Sequence, residues 1–188
     1  MTNILEKIIN EKKNSIKRYK NSFTIEDLKK KISNYNNFLN FKDKLKKNKV
    51  SVIAEIKKAS PSAGVIIEDY NPVQIAQQYY NSGADCLSVL TEENYFKGKL
   101  EDIDKIKKQI KLPVLCKDFF IEPFQVYLAK SFGADAILII LAGITNKVAI
   151  DLYNEAKKFN MSIIVEVHTV EEAKQALNFK DVLIGINN

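Results

Sequence analysis

From Val50 onward, short apolar runs alternate with longer amphipathic segments. The runs at 50–57 (VSVIAEIK), 84–90 (ADCLSVL), 112–119 (LPVLCKDF), 134–140 (ADAILII), 162–167 (SIIVEV) and 182–188 (VLIGINN) are rich in Val, Ile and Leu, as strands covered on both faces are. Between them, residues 72–82, 100–110, 123–132, 145–160 and 170–178 read as helices, with Pro72 and Pro123 where a first helical turn tolerates proline. Strict strand–helix alternation predicts parallel strands joined by right-handed crossovers.

The first 49 residues follow a different rhythm. Ile4, Ile8 and Ile9 recur at helical spacing, and Thr24 followed by Asp27 reads as the cap of a second helix with Leu28, Ile32, Tyr35, Phe38 and Leu39 on one side. That stripe needs a surface to cover, so the leader is expected to pack as helices across one end of the strand–helix body. The division is thus 1–49, an N-terminal helical extension, and 50–188, the alternating body. Within the body SGADCLSVL (82–90) is echoed by FGADAILII (132–140) at an offset of 50 residues, and KDVLIGI (180–186) repeats the pattern once more. Gly83 and Gly133 suit helix ends that require a left-handed residue.

Three of the apolar runs carry charges near their C-terminal ends: Glu55 and Lys57, Lys117 and Asp118, and Glu166. Unpaired charge in a buried strand costs several kcal/mol, so these groups need a function or a partner. Side chains alternate faces with period two, which places Glu55 and Lys57 on one face and sets Cys116 opposite Lys117. If those faces converge, two acids and two amines meet in one cavity. Chemistry at C-terminal strand ends is the habit of (β/α)₈ barrels, whereas a doubly wound nucleotide binder needs a glycine-rich turn where this chain has KKASPSAG. The fold class expected is therefore α/β, a TIM barrel with an N-terminal helical extension. About six of its eight strand–helix units are present, as in the N-terminal portion of a longer protein.

Composition excludes several classes. With 46% hydrophobic and 28% charged residues the chain is an ordinary globular domain. No run approaches the length of a membrane span and the N-terminus lacks a signal-peptide core, which predicts a cytoplasmic protein with no membrane partner. The net charge of +6 divides unevenly: residues 1–49 hold 14 Lys/Arg against 5 Asp/Glu, and residues 50–188 hold 15 against 18. The basic excess lies wholly in the leader, where it reads as a solvated helix face. No nucleic acid is expected as a partner, because no aromatic-interleaved motif accompanies the charge. Cys86 and Cys116 sit inside apolar runs and suit reduced, buried thiols facing the helices; no zinc-ligand spacing occurs, and no metal is expected.

The strings AEIKKASPSAG (54–64), SVLTEENYFKG (88–98), LCKDFFIEPFQV (115–126), GADAILII (133–140), VEVHTVEEA (165–173) and IGINN (184–188) resemble, in order and spacing, the signatures of indole-3-glycerol-phosphate synthase. The resemblance implies a barrel that converts 1-(2-carboxyphenylamino)-1-deoxyribulose 5-phosphate into indole-3-glycerol phosphate, losing carbon dioxide and water without a cofactor, in a monomeric enzyme. It implies Lys117 as general acid, Glu55, Lys57 and Glu166 in the remaining acid/base steps, and Lys57, Ser60, Ser62, Phe96 and Asn187 as substrate contacts. Phe119 is core or a second aromatic wall, Asp118 orients Lys117 or caps the next turn, and His168 is a loop or helix-start residue. The loops by which the family grips phosphate lie past the sixth strand, so the 188-residue chain alone is expected to turn over poorly. Alternatives are another ribulose-phosphate barrel, such as the isomerase that precedes the synthase and would need Cys and Asp as its pair, or a half-barrel that works only with a partner.

Overall fold

The computed structural model describes residues 4–46 and 50–187. The expected division at residue 49 and the last residue of the sixth run therefore lie outside the described residues. Six parallel strands, β1 (Ile53–Ile56), β2 (Cys86–Leu90), β3 (Val114–Lys117), β4 (Ala136–Ile140), β5 (Ser162–Val167) and β6 (Leu183–Ile186), form one curled sheet in that sequential order. The leader holds helices α1 (Ile4–Ser22), α2 (Ile25–Ser33) and α3 (Phe41–Leu45). Helices α4 (Pro72–Asn81), α5 (Leu100–Lys107), α6 (Phe124–Ser131), α7 (Asn146–Lys158) and α8 (Val170–Ala176) connect the strands. This is the curled wall of a partial TIM barrel. All six strands fall within the apolar runs, and β1 pairs with β2 in parallel, Ile53 opposite Cys86 and Glu55 opposite Ser88.

The alternation of side chains builds two cores. Ile56, Leu87, Val89, Val114, Cys116, Ile137, Ile139, Ile163 and Val165 face the helices, while Cys86, Leu115, Ala136, Leu138 and Ile164 face inward around Phe41. Cys116 thus faces the helices as expected, and Cys86 does not. It lies in register with Ile53 and two residues before Ser88, so the same parity that turns Glu55 inward turns Cys86 inward too. Burial pushes both thiols up to about 12, leaving them protonated and unreactive.

The leader covers both ends of the sheet rather than one. Helix α1 crosses the C-terminal mouth, with Ile8, Lys12, Ser15 and Ile16 buried, and α2 lies against α6 with Leu28 buried. Thr24 and Asp27 close the reciprocal cap foreseen for α2, the threonine Oγ1 accepting from Asp27 N at 3.1 Å and the aspartate accepting from Thr24 N at 3.0 Å. Helix α3, a single short turn with no stripe of its own, plugs the opposite end. Fully buried Phe41 fits there because the small residues Cys86 and Ala136 leave room for a ring.

The repeated GAD strings also find their reason. Asp85 accepts from Val52 N at 3.0 Å and Asp135 from Val114 N at 2.8 Å, so each aspartate satisfies an amide at the start of the preceding parallel strand. Gly133 takes φ +97°, and a Cβ there would come within 2.3 Å of the Tyr35 hydroxyl. In the third copy Asp181 instead pairs with Lys42 and Lys157 at the surface.

Among the described residues β1 bonds only to β2 and β6 only to β5, leaving two open edges. On β6, Ile186 is 82% exposed. Open, apolar edges recruit other chains. The 188-residue chain should therefore run above monomer mass in size exclusion with light scattering, and Ile186→Lys should shift it toward monomer. A sharp monomer peak from the unsubstituted chain would contradict this.

Candidate active site

The inward parity that fills the barrel floor with apolar residues delivers charge one layer higher. Glu55 on β1, Lys117 at the end of β3 and Glu166 on β5 all point into a cleft of about 620 Å³, joined by Lys57 and Asn187 from the residues just past β1 and β6. Glu55 bridges the two amines: Oε1 lies 2.7 Å from Lys57 Nζ and Oε2 2.9 Å from Lys117 Nζ. Burial pushes this carboxyl up, but the two ammonium groups outweigh it and hold Glu55 below its ordinary range. Glu166 accepts a hydrogen bond from Asn187 Nδ2 at 3.0 Å, separate from the lysines. Glu55 is thus bridged by two cations, whereas Glu166 is held by the side-chain amide of Asn187.

Phe96 and Phe119 form an apolar wall, their centroids 6.2 Å apart. Pro61 also lines the cleft, but Ser60 and Ser62 do not. Their hydroxyls lie 3.4 Å apart, and Ser60 Oγ accepts from Ala63 N at 3.1 Å, the pattern of a turn in the hairpin formed by Ala59–Ser60 and Gly64–Val65. His168 is where a helix-start residue should be, its amide donating to Glu172 at 2.7 Å. Its ring nevertheless lines the cleft, Nε2 lying 3.5 Å from Glu166 and Nδ1 3.5 Å from Glu172.

Several lining residues escaped the sequence reading. Ile4, Leu5 and Ile8 of α1 reach the cleft. The helical spacing of Ile4 and Ile8 was visible in the sequence, but its destination was not, and Leu5 lay outside the stripe. Ser88, the register partner of Glu55, is buried beneath the charged layer with a hydroxyl that has no partner among the described residues. Glu92, only 1% exposed, accepts from the amides of Asn94 (2.9 Å), Tyr95 (2.7 Å) and Phe96 (3.0 Å), wrapping the loop that presents Phe96. Gly98 closes this loop against the end of β2, where a Cβ would meet the Leu90 carbonyl oxygen at 2.2 Å. Glu92→Ala leaves three amides without their acceptor, at about 1–3 kcal/mol for each one that stays buried. The expected outcome is new protease cleavage between residues 91 and 98, measured by limited proteolysis and mass spectrometry; unchanged protection would show that the carboxylate is dispensable.

The family model of indole-3-glycerol phosphate synthase matches residues 5–188. The chain belongs to the indole-3-glycerol phosphate synthase family. A synthase of this name from Clostridium acetobutylicum is 45% identical over 98% of this chain and 71% of its own length. Synthases from Acaryochloris marina and Prochlorococcus marinus are 43% and 46% identical, each over 99% of this chain, which spans 62% and 64% of their respective lengths. Among solved structures, phosphoribosylanthranilate isomerase from Thermotoga maritima aligns with TM-score 0.50 at 14% identity, over 72% of this chain and 64% of that one. An N-succinyl Arg/Lys racemase from Bacillus cereus aligns with TM-score 0.56 at 12% identity, over 74% of this chain and 37% of its own. At such identities these two speak for the barrel fold alone, while the indole-3-glycerol phosphate synthase relatives speak for kinship.

Proposed function

We propose that this chain carries the acid/base centre of an indole-3-glycerol-phosphate synthase, a carboxy-lyase of tryptophan biosynthesis. The substrate is 1-(2-carboxyphenylamino)-1-deoxyribulose 5-phosphate, and the reaction balances as one indole-3-glycerol phosphate, one carbon dioxide and one water, with no added cofactor. The observation that carries the reading is the convergence of Lys57, Lys117, Glu55 and Glu166 in a cleft walled by Phe96 and Phe119. The aromatic ring lies against that wall. As its carboxylate-bearing carbon attacks the ketone, Lys117 donates a proton to the developing oxyanion. Carbon dioxide leaves, and the new hydroxyl departs as water while a proton is removed to complete the indole; Glu55, Lys57 and Glu166 share that work. Lys57 also attracts the anionic substrate, Asn187 holds Glu166, and Ser60 and Ser62 shape the loop beside the mouth.

We read residues 1–49 as a helical extension and 50–188 as the barrel portion of one cytoplasmic, monomeric enzyme whose partner is a phosphorylated small molecule, not a membrane or nucleic acid. The leader's basic charge supports this, since Lys12, Arg18 and Lys20 pair with Asp118, Glu93 and Glu122 of the body. Among the described residues no helix is long and apolar enough to cross a membrane. The test is the rise of indole fluorescence when the whole gene product meets the anilino-deoxyribulose phosphate. Turnover abolished by Lys117→Ala is expected; a folded but inert gene product overturns the assignment. A second reading, a scaffold active only once its open edges are covered by another chain, is favoured by exposed Ile184 and Ile186. Turnover appearing only on addition of a second chain would select it.

A further inference from the structure

The backbone that presents Lys117 is fastened from the side opposite the cleft. The Lys117 carbonyl accepts from Thr91 N at 3.1 Å, and the next residue, Asp118, accepts from Thr91 Oγ1 at 2.7 Å and from Phe119 N at 2.7 Å. The remaining partner of Asp118 comes from another part of the chain. Lys12, in the middle of α1, places Nζ 2.6 Å from Asp118 Oδ1, and the side chains are 6% and 8% exposed. Burial alone would lower the ammonium pKa, but the Asp118 carboxylate outweighs it and keeps Lys12 charged. One helical turn earlier, Ile8 lines the cleft itself.

A buried ion pair of this kind is weak evidence for net stability, because desolvation offsets much of the attraction. It does fix geometry. Surface pairs such as Arg18–Glu93 and Lys20–Glu122 already tie α1 to neighbouring loops, so docking the helix does not require a buried lysine at residue 12. What Lys12 alone provides is a charged anchor one residue from the general acid.

We propose that Lys12 is a positioning residue for the reaction, holding Lys117 in line with the cleft through Asp118 and so making the leader helix part of the catalytic apparatus. The inference rests on the synthase reading given above. Displacing a reacting group by about 1 Å can cost on the order of 10²-fold in rate. Lys12→Met, which keeps the stem and removes the charge, should lower kcat at least about tenfold while KM changes much less, and Lys12→Arg should restore most of the rate. Because Lys12→Met strands a buried carboxylate, the double variant Lys12→Met/Asp118→Asn serves as a folded counterpart. It should remain slow, because the link is still missing. Lys20→Ala, which frees a surface contact of the same helix, should leave kcat unchanged.

The independent readout is amide hydrogen exchange at residues 117–119, which should quicken in Lys12→Met while α4 and α7 keep their protection. Full kcat in the double variant, or unchanged exchange at 117–119 in Lys12→Met, overturns the proposal. If the unsubstituted gene product shows no turnover, the synthase reading fails, and the exchange measurement still decides whether Lys12 fixes this segment.

Discussion

Replacing Lys117 by alanine in the whole gene product should lower kcat by roughly 10²–10⁴-fold and change KM far less, the loss typical of a general acid that acts mainly in the transition state. The structure gives the side chain no competing structural duty of comparable weight. It is 35% exposed, and among the described residues its one ion-pair partner is Glu55, which still has Lys57 at 2.7 Å when Lys117 is gone. The fold should therefore survive, and the thermal midpoint should move little. Lys57→Ala is expected to behave differently: an ammonium that attracts the anionic substrate acts in the ground state as well, so kcat falls and KM rises together. Steady-state kinetics on the two variants separate the roles. Unchanged kcat in Lys117→Ala removes it as the acid and leaves Lys57 as the other amine of the charged layer among the described residues.

The largest loss of stability should come far from the cleft. Lys107 on α5 and Asp135 at the start of β4 form a pair 1% and 0% exposed, Nζ to Oδ2 2.7 Å, and the same carboxylate accepts from the amides of Leu39 and Val114. It therefore joins helix, strand and leader at one point. Breaking a buried pair by removing one partner typically costs about 3–5 kcal/mol, because the remaining charge is left in a poor solvent. Lys107→Met should destabilise by that order in urea titrations.

Its pH dependence identifies the cause. Burial already raises the Asp135 pKa despite Lys107, and without the lysine the folded-state value rises further. An acid whose folded pKa lies above its unfolded one binds protons preferentially in the folded state, so its penalty is full above the folded pKa and relieved as pH falls toward the unfolded value. The deficit of Lys107→Met relative to the unsubstituted chain should thus shrink as pH falls from neutrality. A deficit that is constant with pH would point to lost packing instead.

Much of this protein is legible along the chain because its strands are buried on both faces. A continuous Val/Ile/Leu run has one cheap solution, and the charges Glu55, Lys117 and Glu166 stand out because their burial is costly unless they meet. The order of strands, the parity that separates Cys116 from Lys117 and the capping of α2 by Thr24 and Asp27 all follow from local rules. The parity of Cys86 was misjudged for a related reason: two cysteines in similar runs look alike until register with Glu55 fixes which face is inward. Ser60 and Ser62 were read from their string alone, and which way their hydroxyls point, 3.4 Å from each other in a hairpin turn, is set by that turn.

What the sequence by itself determined was the period of each element, and with it the family, the curled parallel sheet and the charged layer at the strand ends. Only the tertiary structure decided where long-range partners meet. That Phe41 closes the floor and that Lys12 reaches Asp118 across 106 positions of chain depends on the route of the leader over both ends of the sheet. The physical reason is one of range. Alternation and capping are set by neighbours a few residues away, whereas a buried charge finds its counterpart by packing, and nothing in its local string says which helix will bring it.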